Sequence, residues 1–225
     1  MKAQLIWDLP TRLFHGLLII GIAFQWASAE WFDNAIIWHV RIGYALLGLI
    51  LFRLVWGVVG TRYAKFNQLR LSPTQGLTYS KTLLHRDSPT FPGHNPIGSW
   101  AVICMLLLIA LQAISGLFVS DDIFTEGPYR SVASSEWLAV MEFIHFQLFD
   151  LLLIFIALHI IAALGYQFYK RQAIITAMVN GKKYLKEDVG IVSSKLLRAF
   201  LVAIVVAAIV YFVIEVLPPE PEFYY

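Results

Sequence analysis

The chain has 225 residues, 59% of them apolar and 14% charged, with a mean hydropathy of +0.68. That composition is a membrane protein's and excludes an ordinary soluble domain. The formal net charge of +2 gives no basic surface for nucleic acid, and the single cysteine, Cys104, excludes an internal disulfide.

Five apolar runs, near residues 12–29, 39–59, 97–119, 142–167 and 196–217, are each long enough to cross a bilayer. Ala27-Ser28-Ala29, at the end of the first, looks like a signal-peptide cleavage site, but Asp8 and Pro10 do not suit the basic segment that such a peptide needs. The run is therefore read as a retained span. Between spans one and two the chain carries Glu30 and Asp33 with no Lys or Arg. Between spans three and four it carries Asp121, Asp122, Glu126 and Glu136 against Arg130. The connection between spans two and three instead holds Arg62, Lys65, Arg70, Lys81 and Arg86. Lys170, Arg171, Lys182, Lys183, Lys186 and Lys195 follow span four. The positive-inside rule then places the N-terminus in the cytoplasm and the C-terminus outside. Within the long connection at 60–96, Ser72-Pro73 predicts a short amphipathic helix running through Leu84 on the inner surface. The acidic tail at 218–225 is expected to be extended, on the outer side.

Span four carries His145 and His159, fourteen residues apart. At about 100° per residue the two imidazoles fall within roughly 40° of one face, roughly 21 Å apart along the axis. Polar groups in hydrocarbon are costly and tend to be functional. With the orientation above, His15 near the start of span one is at the inner side, and His39 at the start of span two is at the outer side. Span four descends, so His145 is outer and His159 inner. Depth then pairs His39 with His145 and His15 with His159, each pair drawn from two helices. Two imidazoles on opposite faces of one porphyrin are what a six-coordinate haem needs, so the pattern fits two non-covalent b haems. No Cys-x-x-Cys-His run exists for covalent attachment of a c-type haem, and no Cys/His cluster has zinc spacing.

Arg53 follows His39 by fourteen residues and faces the same way at the level of the inner pair, where it suits a haem propionate. Arg12, three residues before His15, has a similar case; snorkelling to the interface is the alternative for both. Gly16 and Gly43 adjoin the histidines and suit close helix packing. Asp150 lies about 140° from His145 and about 180° from His159, so it is read as a helix-contact or partner-contact residue, with a proton-path residue as the alternative. His85 and His94 fall in the cytoplasmic connection and are left without a role.

The run Trp7-Asp8-Leu9-Pro10-Thr11-Arg12-x-x-His15 resembles the opening of bacterial di-haem cytochromes b. So do His39-x-x-x-Gly43, Arg53-Leu54-x-Trp56-Gly57-x-x-Gly60, Gly93-His94-Asn95-Pro96 and Gly181-Lys182-Lys183. Over residues 5–185 the chain resembles the cytochrome b561 / nickel–iron-hydrogenase cytochrome b family, with Lys65 standing where an arginine is commoner. The resemblance implies an all-α integral membrane protein, with a four-helix haem-binding bundle over 1–185 and a fifth transmembrane helix plus acidic tail over 186–225. It implies two haem b groups held by His15, His39, His145 and His159. It also implies electron transfer in the inner membrane between the quinone pool and a redox partner, either a hydrogenase-like dehydrogenase or a periplasmic c-type cytochrome. Quinone is expected to exchange near the inner pair, where Arg12, Arg53 and the 93–96 segment converge. A cofactor-free anchor or transporter would account for the spans but not for the paired histidines.

Overall fold

A computed structural model describes residues 1–32, 35–121 and 125–219. Asp33, Asp122 and the acidic residues of 220–225 lie outside the described residues. Among the described residues, five helices are long and apolar enough to cross a membrane: Leu9–Glu30 (α1), Ile36–Val59 (α2), Pro96–Ser115 (α4), Ser135–Tyr169 (α5 with a closing π-turn) and Leu196–Val216 (α7 with a closing π-turn). Their mean hydropathies run from 1.3 to 2.8. Each corresponds to one of the expected runs. Side chains such as Ile20, Leu107, Phe143, Ile161 and Phe200 are exposed, as suits helices solvated by lipid. Tryptophans gather at helix ends, with Trp26 and Trp31 in ring contact at 4.9 Å at the close of α1 and Trp38 at the start of α2. That is the amphipathic ring's preferred depth at a membrane surface.

Contacts divide the chain into two compact units. The first is Met1–His15, Arg53–Leu106 and Ile154–Val202; the second is Gly16–Phe52, Leu107–Leu153 and Ala203–Tyr225.

The first unit is tied together by its polar segments. Lys2–Leu5 (β1) pairs antiparallel with Lys182–Leu185 (β2), with Lys2 opposite Leu185 and Leu5 opposite Lys182. The short helix Ile174–Asn180 (α6) stops at Gly181, whose φ of +83° is the left-handed conformation that glycine adopts without strain. The Gly181 carbonyl then accepts from Ile6 N at 2.8 Å and Trp7 N at 3.1 Å. Asp8 caps α1 by accepting from Thr11 N at 2.7 Å, and its carboxylate also accepts from the Trp56 indole at 3.3 Å and from the Thr61 hydroxyl. Ile6, Trp7, Tyr63 and Ala177 form the apolar core over this network. Residues 187–194 are bound into the same body, since Tyr63 Oη donates to Val189 O at 2.8 Å and Leu9 N donates to Ser194 Oγ at 3.1 Å.

The helix expected from Ser72 to Leu84 is shorter. Ser72 is its N-cap and it spans Pro73–Ser80 (α3). Beyond it the N–H groups of Thr82, Leu83 and His85 reach back only three residues, to Tyr79, Ser80 and Thr82, so the chain tightens into turns. Its last turn is anchored by Tyr79, whose hydroxyl meets that of Tyr166 at 2.8 Å.

In the second unit Leu47, Leu117 and Ile214 form the core, joining α2, the end of α4 and α7. Tyr129 Oη donates to Val213 O at 2.6 Å, and Arg130 pairs with Glu142 at 2.8 Å.

Candidate functional site

The first unit contains His15 and His159; the second contains His39 and His145. The structure brings each couple together, with ring centroids 6.3 Å apart in both. The imidazole planes are inclined at 58° in the first couple and 71° in the second. Two metal–nitrogen bonds of about 2 Å each, plus the two ring radii, span about 6 Å between imidazole centroids. The spacing of both couples therefore fits one metal ion between two rings, and the neutral nitrogen donors suit haem iron. His15, His39 and His145 are half-buried residues, and His159 is the most exposed of the four.

The His39–His145 couple is held through its Nδ1 atoms. His39 Nδ1 lies 2.9 Å from Ser28 Oγ, and that hydroxyl donates its own proton to Gln25 O at 3.0 Å. His145 Nδ1 lies 3.2 Å from both Ser115 Oγ and Gln112 O, and Ser115 Oγ donates to Gln112 O at 3.0 Å. Because each serine spends its proton on a carbonyl, its oxygen is left to accept. Nδ1 is then the protonated nitrogen in both rings, and Nε2 keeps its lone pair for a metal. Gln112 adds a bond from its amide to His145 O at 2.7 Å, fixing α4 to α5 at this level. Gly116 permits the approach, since a Cβ there would stand 3.1 Å from His145 Cε1.

The His15–His159 couple has a different setting. Among the described residues, no hydrogen bond reaches the ring nitrogens of either histidine. The same unit holds two arginines with unused N–H groups. Arg53 is 4% exposed, lies over the Phe66 ring at 4.8 Å, and its Nη1 is buried without a hydrogen-bond partner. Arg12 donates through Nη1 to Val179 O at 2.6 Å, while its Nε is buried and unpartnered. Buried cationic donors with unused N–H groups suit the carboxylates of a haem.

Two residues that sequence reasoning left aside belong to this setting. His94 lies against Trp7 with ring centroids 4.8 Å apart and planes inclined at 58°, and desolvation, then Arg53, Lys183 and His159, hold its pKa down at about 3. Lys183 donates to Phe91 O at 3.1 Å and stands 5.8 Å over the Trp7 ring; burial lowers its pKa to about 8. The Gly93–Pro96 and Gly181–Lys183 motifs were visible in the sequence, but their meeting on Trp7 depends on the β1–β2 pairing, which no helical period announces. Asp150 is exposed on α5.

Five apolar helices and two facing imidazole couples define a multi-pass membrane protein of the b-type cytochrome class. Residues 6–181 match the prokaryotic cytochrome b561 family, and the chain belongs to it. Membership makes it a haem-binding membrane cytochrome that transfers electrons. It is similar to a probable Ni/Fe-hydrogenase B-type cytochrome subunit of Azotobacter vinelandii, 23% identical over 83% of this chain and 90% of that protein. The protein of the same name from Bradyrhizobium diazoefficiens is 21% identical over 81% of this chain and 86% of its own length. No solved structure matches the chain.

Proposed function

We propose that the chain holds two haem b groups, one between His39 and His145 and one between His15 and His159, and carries electrons across the bacterial inner membrane between the quinone pool and a redox partner. The observation that carries the reading is the recurrence of one arrangement: two couples, each drawn from two helices, each with ring centroids 6.3 Å apart. The haems, when bound, supply reversible one-electron chemistry. The chain supplies axial nitrogens, an apolar surround that excludes water, and cationic groups for the propionates, Arg53 and Arg12 among them. In this reading the N-terminus is cytoplasmic and the C-terminus periplasmic. Quinone exchanges near the His15–His159 couple, where Arg12, Arg53 and the 93–96 segment lie. The relatives' name makes a hydrogenase-like enzyme the favoured partner, with a periplasmic c-type cytochrome as the alternative.

The test is a dithionite-reduced minus oxidised spectrum of the purified protein, with pyridine haemochrome quantitation. Two haem b per chain is the expected result. A protein without a Soret band is a cofactor-free anchor, and the reading fails. His145→Ala and His159→Ala should each lower the content from two haems to one. Retention of both haems in either variant contradicts the pairing.

A further inference from the structure

We propose that the groove between α3 and the segment at 89–96 binds the headgroup of an anionic phospholipid, with the lipid phosphate on Arg70. The function proposed above enters only in fixing the leaflet, which is then the cytoplasmic one; the haems play no part in this site.

The groove lies wholly within the first unit and has a volume of about 360 Å³. Arg70, Gln75, Thr78, Tyr79, Phe91 and Pro96 are among its walls. Bonds to the transmembrane helices hold those walls in place. The end of α5 clamps the turns that follow α3, since Lys170 Nζ donates to Thr82 O at 3.1 Å and Tyr169 Oη donates to Leu84 O at 3.3 Å. Phe91 meets Tyr79 edge-on with ring centroids 5.6 Å apart. Arg70 N donates to Ser99 Oγ at 3.0 Å, in the first turn of α4. Pro96 is the first residue of one span and Tyr169 the last of another. A groove built at two span ends opens where the hydrocarbon gives way to lipid headgroups.

The chemistry of the walls selects the occupant. The Arg70 guanidinium lies over the Phe91 ring at 5.0 Å, and among the described residues no carboxylate pairs with it. The Gln75 amide and the Thr78 hydroxyl are likewise without a hydrogen-bond partner among the described residues. Thr82, by contrast, spends its proton on Tyr79 O at 2.8 Å. No Asp or Glu lines the groove. A guanidinium flanked by two neutral donors suits a phosphodiester, whose oxygens it can take two at a time. The connection as a whole carries Arg62, Lys65, Arg70, Lys81 and Arg86 against the single acid Asp87. Such a basic cluster beside span ends favours anionic over zwitterionic lipid. The rest of the wall is the apolar surface of Phe91, Pro96 and the Tyr79 ring. A hydrated inorganic anion gains nothing from that surface, whereas the glycerol and upper acyl carbons of a lipid bury against it.

The experiment is native mass spectrometry of the purified full chain in detergent, stripped of lipid and then titrated with phosphatidylglycerol, phosphatidylcholine or inorganic phosphate. One phosphatidylglycerol per chain should bind at concentrations at which phosphatidylcholine does not. Arg70→Ala should weaken that binding about tenfold, the loss of one charge-assisted contact. Arg62→Ala, which removes a cation elsewhere in the same connection, should leave it unchanged. Should Arg70→Ala not fold, Thr78→Val, at an exposed position on α3, carries the test and should also weaken binding. Equal binding of the two lipids, equal effects of Arg70→Ala and Arg62→Ala, or displacement of the lipid by millimolar phosphate, the mark of a free-anion site, overturns the proposal. Haem content of the same samples is a separate readout. Selective lipid binding by a chain without two haems overturns the function proposed above and leaves this site standing.

Discussion

Asp8 and His94 show how much can hang on single polar side chains in a chain this apolar. Asp8 is 1% exposed, caps α1, and satisfies the Trp56 indole and the Thr61 hydroxyl. Asp8→Ala removes a cap, worth about 1 kcal/mol, and leaves buried donors unpaired, at about 1–3 kcal/mol. A loss of about 2–4 kcal/mol in stability is expected, measurable by denaturant unfolding in detergent. His94 gives a pH signature. Its folded pKa of about 3 lies below the ordinary 6.5, so between those values the unfolded chain binds a proton that the folded chain does not. Stability is therefore fully present above pH 6.5 and declines as pH falls toward 3. Thermal unfolding of His94→Gln from pH 7 to pH 4 should show a shallower decline than the parent chain, and equal slopes would contradict the assignment. The four span histidines were legible in the sequence because period and depth constrain residues on long helices. His94 was not, because its neighbours arrive from Trp7 and Lys183, far from it in the sequence on either side.

At the level of elements, a small residue just past the end of α4 makes room for an imidazole on α5. A side chain larger than hydrogen at 116 must share space with His145, since even a Cβ would approach Cε1 to 3.1 Å. Gly116→Val should displace the imidazole and its bond to Ser115. The expected outcome is a fall from two haems to one per chain by pyridine haemochrome; an unchanged content would mean that the ring yields without cost. The five spans were readable because hydropathy over some twenty residues overwhelms local detail. Helix ends and the strands were less so. α3 stops at Ser80 rather than Leu84, and the four-residue strands β1 and β2 carry a signal too short to rise above the background. The motif around Asp8, read as a family signature, proves to be a structural knot joining the start of α1 to Trp56 and Thr61.

For the molecule as a whole, the distribution of hydrogen bonds says where the chain can be shortened. Residues 187–194 reach Gln4, Leu9 and Tyr63. By contrast α7 contributes Ile214 to the second unit's apolar core and much exposed apolar surface. A chain ending at Ser194 should keep the His15–His159 haem, whereas one ending at Leu185 should lose it; haem content of the two purified proteins decides. Net composition predicted the membrane setting at once, because it is a property of the sum. The tie between β1 and β2 is a property of one register, and composition carries no trace of it.

That tie also sets a timetable for biosynthesis. Gln4 binds the carbonyl of Glu187, 183 residues downstream, and β1 has no strand to pair with until β2 has left the ribosome. A nascent chain can insert its first four helices while its N-terminal segment is still unclosed. Closure of the β1–β2 ribbon is therefore a late event, and a chain cut short before Gly181 leaves the main-chain N–H groups of Ile6 and Trp7 without their acceptor.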